Sequence, residues 1–450
     1  MSDGQNRISR GLVLGVLLIF LFAVWIRVEY LHLAGGEFYL ERDAKQYIVY
    51  AHNLVAHGVF SVDRGVDPPR PDSFRSPGYP LLIAAFLQLG GEERYLHYLV
   101  YTQAVMTATL SPLVFITGVA FMSPLFAFIA AVLTALCPHL VSISGYVLTE
   151  ALLSFLLLAA VCCLQHAIQK ADTVFHVLAA ILFGGVVLTN EAYVMIPFFS
   201  AAVAWFLCLK GRKTVAGKKI IRDLLLFSLI VALFPIAWAL RNHFTATEGV
   251  AKGSDRAVAT LSHGAYPDFI YKNPFYRRFP YREDPQQPEF GSSLDQFLRI
   301  LWSRAKAEPL RYIRWYLLGK PYYLWSWSII QGVGDIYIYP VRVSLFQVSL
   351  IAGTIRAGMK LLHPLVLVLA LLSLPAVYVQ WRQAIPGGDR GIDSPLLPLS
   401  VCVYVTLLYM IFAPWPRYSI PVRPELYLCC VWTGFFCMNR MKDGKATEKA

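Results

Sequence analysis

The sequence predicts an all-α polytopic membrane protein, and three observations predict it. Of its 450 residues, 57% are hydrophobic and only 15% charged, against about 25% charged in a soluble domain. Mean hydropathy is +0.52. The charge deficit is concentrated in apolar runs near the ~20 residues that a bilayer crossing needs. Together these exclude a soluble enzyme, a disordered scaffold and a nucleic-acid-binding domain. The net charge of +12 does not bring nucleic acid back, because membrane proteins place Lys and Arg at lipid headgroups to set their orientation.

Ten spans are expected, near 11–33, 96–120, 124–140, 147–168, 174–189, 192–209, 220–240, 362–380, 396–413 and 418–437; a further pair between 322 and 360 would raise the count to twelve. The first run, behind Arg7 and Arg10, is longer than the apolar core of a signal peptide and lacks a small-residue cleavage site, so it reads as an uncleaved span. The densest basic loop, Lys210, Arg212, Lys213, Lys218, Lys219 and Arg222, is expected to be cytoplasmic. Counting outward from it places the N-terminus, the 381–395 loop and the tail with Arg440, Lys442, Lys445 and Lys449 on that same side. The absence of any Asn-x-Ser/Thr sequon fits a bacterial inner membrane, with both termini cytoplasmic. The eight cysteines, Cys137, Cys162, Cys163, Cys208, Cys402, Cys429, Cys430 and Cys437, lie in or at the edges of apolar segments. They form neither a disulfide framework nor a metal-ligand spacing.

The chain divides into an N-terminal transmembrane module (1–240), an outer region (241–361) and a C-terminal transmembrane part with a cytoplasmic tail (362–450). Two long stretches face outward, 34–95 and 241–361, and loops of this length are usually functional. Within the first, 43–57 has helical periodicity with Asp43, Tyr47, Tyr50 and Leu54 on one face. Residues 78–90 are apolar but too short to span, so they are expected at the outer leaflet. In the second, 299–339 is rich in Trp, Tyr and Arg, residues of the interfacial belt. No Gly-x-x-x-x-Gly-Lys phosphate loop occurs, so an enzyme here must receive its substrate already activated on the outer side.

The chemistry-bearing residues sit at span ends. Asp43 opens a helical segment just past the first span, and it reads equally as a helix N-cap or as a general base at the membrane edge. In Phe74-Arg75-Ser76-Pro77-Gly78-Tyr79-Pro80, two prolines and a glycine fix a turn that presents Arg75, either toward a phosphate or as an interfacial anchor. Glu150 opens the fourth span and Glu191 the sixth, and an acid entering a membrane span is a functional-site hypothesis by default. Arg241 and Asn242 end the seventh span; Arg417 and Tyr418 open the tenth. Single cations at span ends are usually snorkelling anchors. Here Asp43, Arg75, Glu150, Glu191, Arg241 and Arg417 come from six parts of the chain and fall at one depth on one side, an arrangement suited to an anionic lipid-linked substrate.

This ordered set resembles the GT-C class of integral membrane glycosyltransferases, in the branch of protein O-mannosyltransferases and the bacterial transferases that add aminoarabinose or galacturonic acid to lipid A and its core. The resemblance rests on Asp43 with Tyr47, Arg75-Ser76-Pro77-Gly78-Tyr79-Pro80, Leu148-Thr149-Glu150, Trp238 with Arg241-Asn242, and Arg417-Tyr418 with Pro421 and Pro424. The chain departs from the family in having Ala44 where a second acid often follows the first, in Arg75-Ser76-Pro77 where the lipid A branch often has Lys-Pro-Pro, and in having no sizeable soluble C-terminal domain. The resemblance implies a GT-C-like bundle with outward-facing in-plane helices. It also implies a polyprenyl-phosphate sugar donor and a lipid, glycan or protein acceptor reached from the periplasmic face. Asp43 then matches the first-loop catalytic acid, Glu150 the second acidic position, and Arg75 a basic contact to the donor phosphate. Tyr47 and Tyr79 would pack on sugar or isoprenoid, while Glu191, Arg241, Asn242, Arg417 and Tyr418 would be further substrate contacts. Glu150 would orient the acceptor, support Asp43 or bind a divalent cation. No metal or cofactor is expected, because no His/Cys cluster supports one. The alternative is a transporter or flippase of an anionic lipid, whose site would lie near the bilayer midplane on broken helices.

Overall fold

The computed structural model describes residues 9–34, 40, 42–209, 215–245, 250, 252–277, 279–329, 338, 341–383 and 394–447. It is built of helices; among the described residues the only β-type pairing is an isolated bridge between Ser73 and Lys252. Each of the ten expected spans holds a helix: Arg10–Ala34, Gly78–Gly118, Pro124–Leu136, Glu150–Lys170, Thr173–Thr189, Ile196–Leu209, Val215–Phe244, Leu350–Gln383, Leu396–Ile411 and Arg423–Thr447. Five of the described helices are long and apolar enough to cross a membrane, six if the bent pair Pro124–Leu136 and Pro138–Gly145 counts as one; others are shorter apolar helices. The chain is a multi-pass membrane protein.

Why these segments become membrane helices is visible in where their side chains go. Leu14, Leu18 and Leu21 of the first helix, Leu229, Leu233 and Ile236 of the seventh and Leu361, Leu365 and Leu371 of the eighth stay exposed, as an apolar helix facing lipid requires. The interior side is filled by Leu99, Leu110, Val114, Ala127, Leu140, Tyr427 and Leu428 in one cluster. A second cluster holds Leu157, Leu164, Phe183, Phe227, Val401 and Val405. Within the first helix the fully buried Arg27 donates from Nε to Thr107 Oγ1 at 2.9 Å and from Nη1 to the Ala23 carbonyl at 2.9 Å, stitching that helix to its neighbour.

Two boundaries differ most from the sequence expectation. The outer-leaflet segment 78–90 and the second span form one run, Gly78–Gly118, interrupted at Gly91, whose φ of 61° only glycine adopts freely. The eighth helix begins at Leu350 rather than near 362, because Arg356 and Lys360 end an apolar run without ending a helix. Of the expected extra pair between 322 and 360, the described residues show as helix only the end of the short Lys320–Leu324 helix, the short Leu345–Val348 helix and the start of Leu350–Gln383; Lys210, Arg212 and Lys213 of the basic loop, Arg7 and most of the 381–395 loop fall outside the described residues. Within 241–361, the Leu294–Ala307 helix is amphipathic: Leu294, Leu298 and Trp302 are exposed at a spacing of four while Phe297 is buried, the pattern of a helix lying in the interface plane.

Candidate active site

The site is assembled around the carboxylate of Asp43. Asp43 is the first residue of the Asp43–His57 helix, and the cap position belongs to Arg42, which has φ 52° and makes no side-chain capping bond. The capping reading of Asp43 is therefore not what the structure uses. Its two oxygens go to two arginines instead: Arg75 Nη2 donates to Oδ1 at 2.6 Å, and Arg417 Nη2 donates to Oδ2 at 2.8 Å. Arg417 Nε also lies 3.7 Å from Glu150 Oε1. Glu150 opens its helix and is only 4% exposed. Burial works against ionisation of Asp43, yet the charges and hydrogen bonds of Arg417 and Arg75 outweigh it and hold the carboxyl well below the usual carboxylate range.

Arg75 is delivered by a loop that is itself hydrogen-bonded throughout. The Asp72 carboxylate receives Tyr50 Oη, the Val62 N–H at 2.6 Å and the Phe74 N–H at 3.0 Å. Asn53 Nδ2 donates to the carbonyls of Ser61 and Asp63 at 2.8 and 3.0 Å. Arg241 clamps the same loop, donating to the Asp72 carbonyl at 2.5 Å and the Phe60 carbonyl at 3.2 Å. At the end of this loop Gly78 lets two backbones meet: a Cβ there would come within 2.9 Å of the Leu188 carbonyl group. That approach brings Ser76 to Glu191, with Ser76 Oγ donating to Oε2 at 2.6 Å. Arg75 is then oriented by Gln46, whose Oε1 accepts from Nε at 2.8 Å and from Nη2 at 2.5 Å. Its guanidinium lies 5.2 Å over the Tyr47 ring.

These groups line a cavity of about 560 Å³, within the ~300–1,000 Å³ range of small-molecule sites. Asp43, Tyr47, Arg75, Glu150, Glu191, Arg417 and Tyr418 all line it. Tyr79 stands behind Tyr47, edge-on to its ring at 5.3 Å, with its hydroxyl donating to Gln103 Oε1 at 2.7 Å. Arg241 and Asn242 are outside the cavity: Arg241 holds the loop, and Asn242 Oδ1 accepts from it at 3.0 Å.

The sequence reading missed several contributors. Arg42 lines the cavity, and Gln46 orients Arg75 from one turn further along the same helix. The Gly253–Gly264 helix covers one side, bringing Arg256, which pairs with Glu191, and His263, which stacks on Tyr281 with ring centroids 4.4 Å apart. Nothing in the composition of 241–282 marks these residues; the one legible cue was that the loop is long. Among the described residues no group of three or more His, Cys, Asp or Glu is placed to hold a metal ion.

No family model matches the chain, and no curated protein does. Solved structures do. The archaeal oligosaccharyltransferase AglB from Archaeoglobus fulgidus, in complex with an inhibitory peptide and a dolichol-phosphate, matches 98% of this chain and 52% of its own at 11% identity, with a TM-score of 0.49. ArnT from Cupriavidus metallidurans bound to undecaprenyl phosphate matches 96% of this chain and 78% of its own at 12% identity, with a TM-score of 0.34. The chain spans about half the length of the oligosaccharyltransferase it matches. Both are GT-C glycosyltransferases, the class that the sequence resembles.

Proposed function

We propose that the protein is a GT-C-type glycosyltransferase that moves a sugar from a polyprenyl-phosphate donor to an acceptor hydroxyl at the outer membrane face, with inversion. One observation carries this reading. Two arginines from distant parts of the chain meet on a single carboxylate in the wall of a cavity, with a second acid beside them. The guanidinium groups are suited to a phosphate leaving group, because their donors match phosphate oxygens in pairs. The carboxylate, kept ionised, is in the form that accepts a proton.

The reaction is a single displacement. The acceptor oxygen forms a bond to the anomeric carbon as the bond from that carbon to the phosphate oxygen breaks. The acceptor proton goes to Asp43, and polyprenyl phosphate leaves with the negative charge that Arg75 and Arg417 neutralise. The same arginines serve both partners. A phosphate that draws either guanidinium toward itself weakens that arginine's hold on Asp43, so the base gains proton affinity as the donor binds. Glu150 shares Arg417 and limits how far it swings.

The test is transfer from radiolabelled polyprenyl-phosphate sugars in membranes containing the wild type or Asp43→Asn. Label reaching an acceptor with the wild type and not with a folded Asp43→Asn supports the reading. Equal transfer by both removes Asp43 from the mechanism. Absence of transfer from every donor, together with lipid movement across the bilayer, would favour the transporter.

A further inference from the structure

We propose that Lys320 is a positioning residue for Arg417. It lies in a helical stretch, 309–324, within the Trp-, Tyr- and Arg-rich segment 299–339. Lys320 is fully buried, which lysine almost never is without partners. Its Nζ donates to the carbonyls of Ile411 at 2.8 Å and Phe412 at 3.1 Å, and sits 3.8 Å from the centre of the Tyr316 ring. Immobilising so long a side chain costs it rotamer freedom, so the contacts have to serve the fold or the site.

Their location says which. The Leu396–Ile411 helix ends at the two carbonyls that Lys320 holds. Helix C-termini leave such carbonyls without intrahelical donors, and a lysine can supply the missing N–H groups. Beyond them the chain turns through Ala413, Pro414, Trp415 and Pro416 and reaches Arg417. That corner has little play. The Trp415 N–H bonds the Ala413 carbonyl and the Tyr418 N–H bonds the Trp415 carbonyl, each at 3.0 Å. The Trp415 ring stacks on Phe269 at 4.5 Å. A stiff corner transmits the direction in which the helix is left, and Lys320 sets that direction. Arg417 in turn must stay at 2.8 Å from Asp43, a contact that weakens steeply with misalignment. A misplacement of about 1 Å far from the chemistry can cost on the order of 100-fold in rate.

This inference rests on the proposed function, since the arginine being positioned is the one assigned to the phosphate. Two measurements keep the two claims separable. In the transfer assay, Lys320→Met should lower kcat roughly 10- to 100-fold with a smaller change in donor KM. Lys320→Gln, which keeps one donor group, should fall between it and the wild type. In an Arg417→Ala background, Lys320→Met should cost less than about twofold more, because residues acting through one another are not additive. Full additivity, or an unchanged kcat in Lys320→Met, overturns the inference while leaving transferase activity standing. Hydrogen exchange reads the same point without activity. Amides of Ala413, Trp415 and Arg417–Ser419 should exchange faster in Lys320→Met or Lys320→Gln while the Leu396–Ile411 helix stays protected. Unchanged exchange there overturns the positioning role even if no donor sugar is ever transferred.

Discussion

Replacing Arg75 by alanine separates the charge of the site from its packing. Arg75 makes three close polar contacts, 2.6 Å to Asp43 and 2.5 and 2.8 Å to Gln46, and its side chain is only 10% exposed. If it stabilises charge that develops on a departing phosphate, its loss should cost about 2.7–4 kcal/mol of barrier, or roughly 100- to 1,000-fold in kcat. Gln46 provides the calibration. Gln46→Leu leaves the charge and Arg417 in place and removes only the neutral group that orients Arg75; hydrogen bonds to a charged group are worth about 1.5–3 kcal/mol, or roughly 10- to 150-fold, and because the guanidinium itself stays, the loss should be smaller than that of Arg75→Ala. The assay is the initial rate of sugar transfer in proteoliposomes at saturating donor, with a thermal transition for each variant to confirm folding. The reasoning fails if folded Arg75→Ala stays within threefold of wild type. It also fails if Gln46→Leu is as damaging as Arg75→Ala, since packing rather than charge would then dominate.

Arg241→Ala should lower thermal stability and transfer together, by about 1–3 kcal/mol for two lost charge-assisted bonds to the 60–72 loop; a catalytic loss at unchanged melting temperature would instead make Arg241 a substrate contact. Gly264→Ala places a Cβ 2.7 Å from the backbone of Phe412 and Ala413, whereas Gly434→Ala meets nothing within 4 Å. The first should destabilise by about 1–3 kcal/mol and the second by less than about 0.5 kcal/mol, read from melting temperatures. Burial pushes the His263 imidazole down to about 4 from 6.5. Between those values the unfolded chain binds the extra proton, so stability should fall as pH drops from 6.5 through 4. Melting curves of His263→Phe should show less of that acid loss, and an identical pH dependence in the two proteins would refute it.

The parts of this site that the sequence shows are those that are chemically out of place. Asp43, Glu150 and Glu191 are acids at the mouths of apolar runs, and Arg75 and Arg417 are cations bracketed by prolines. Each is conspicuous against 15% overall charge, and all five line one cavity. Spans are legible for the same reason: a run of apolar residues has one physical use in a bilayer. Roles set by long-range backbone paths are not legible. Arg241 looks like its fellow arginines in sequence, yet its partners are carbonyls 169 and 181 residues away, and only the course of the loop decides that. Tyr79 and Tyr47 share a motif set but occupy successive layers. Lys320, Arg256 and His263 lie where no periodicity or motif distinguishes them, and their burial is a property of the assembled molecule.

The carboxylate at residue 43 is completed by a guanidinium 374 residues later in the chain. During synthesis, therefore, the loop carrying Asp43 waits with one arginine while the intervening helices are inserted one after another. A nascent or interrupted chain that stops short of Arg417 holds a membrane bundle and half of a charge clamp. Such a protein gains its full complement of site groups late in its own assembly, and an early truncation should be silent rather than unregulated.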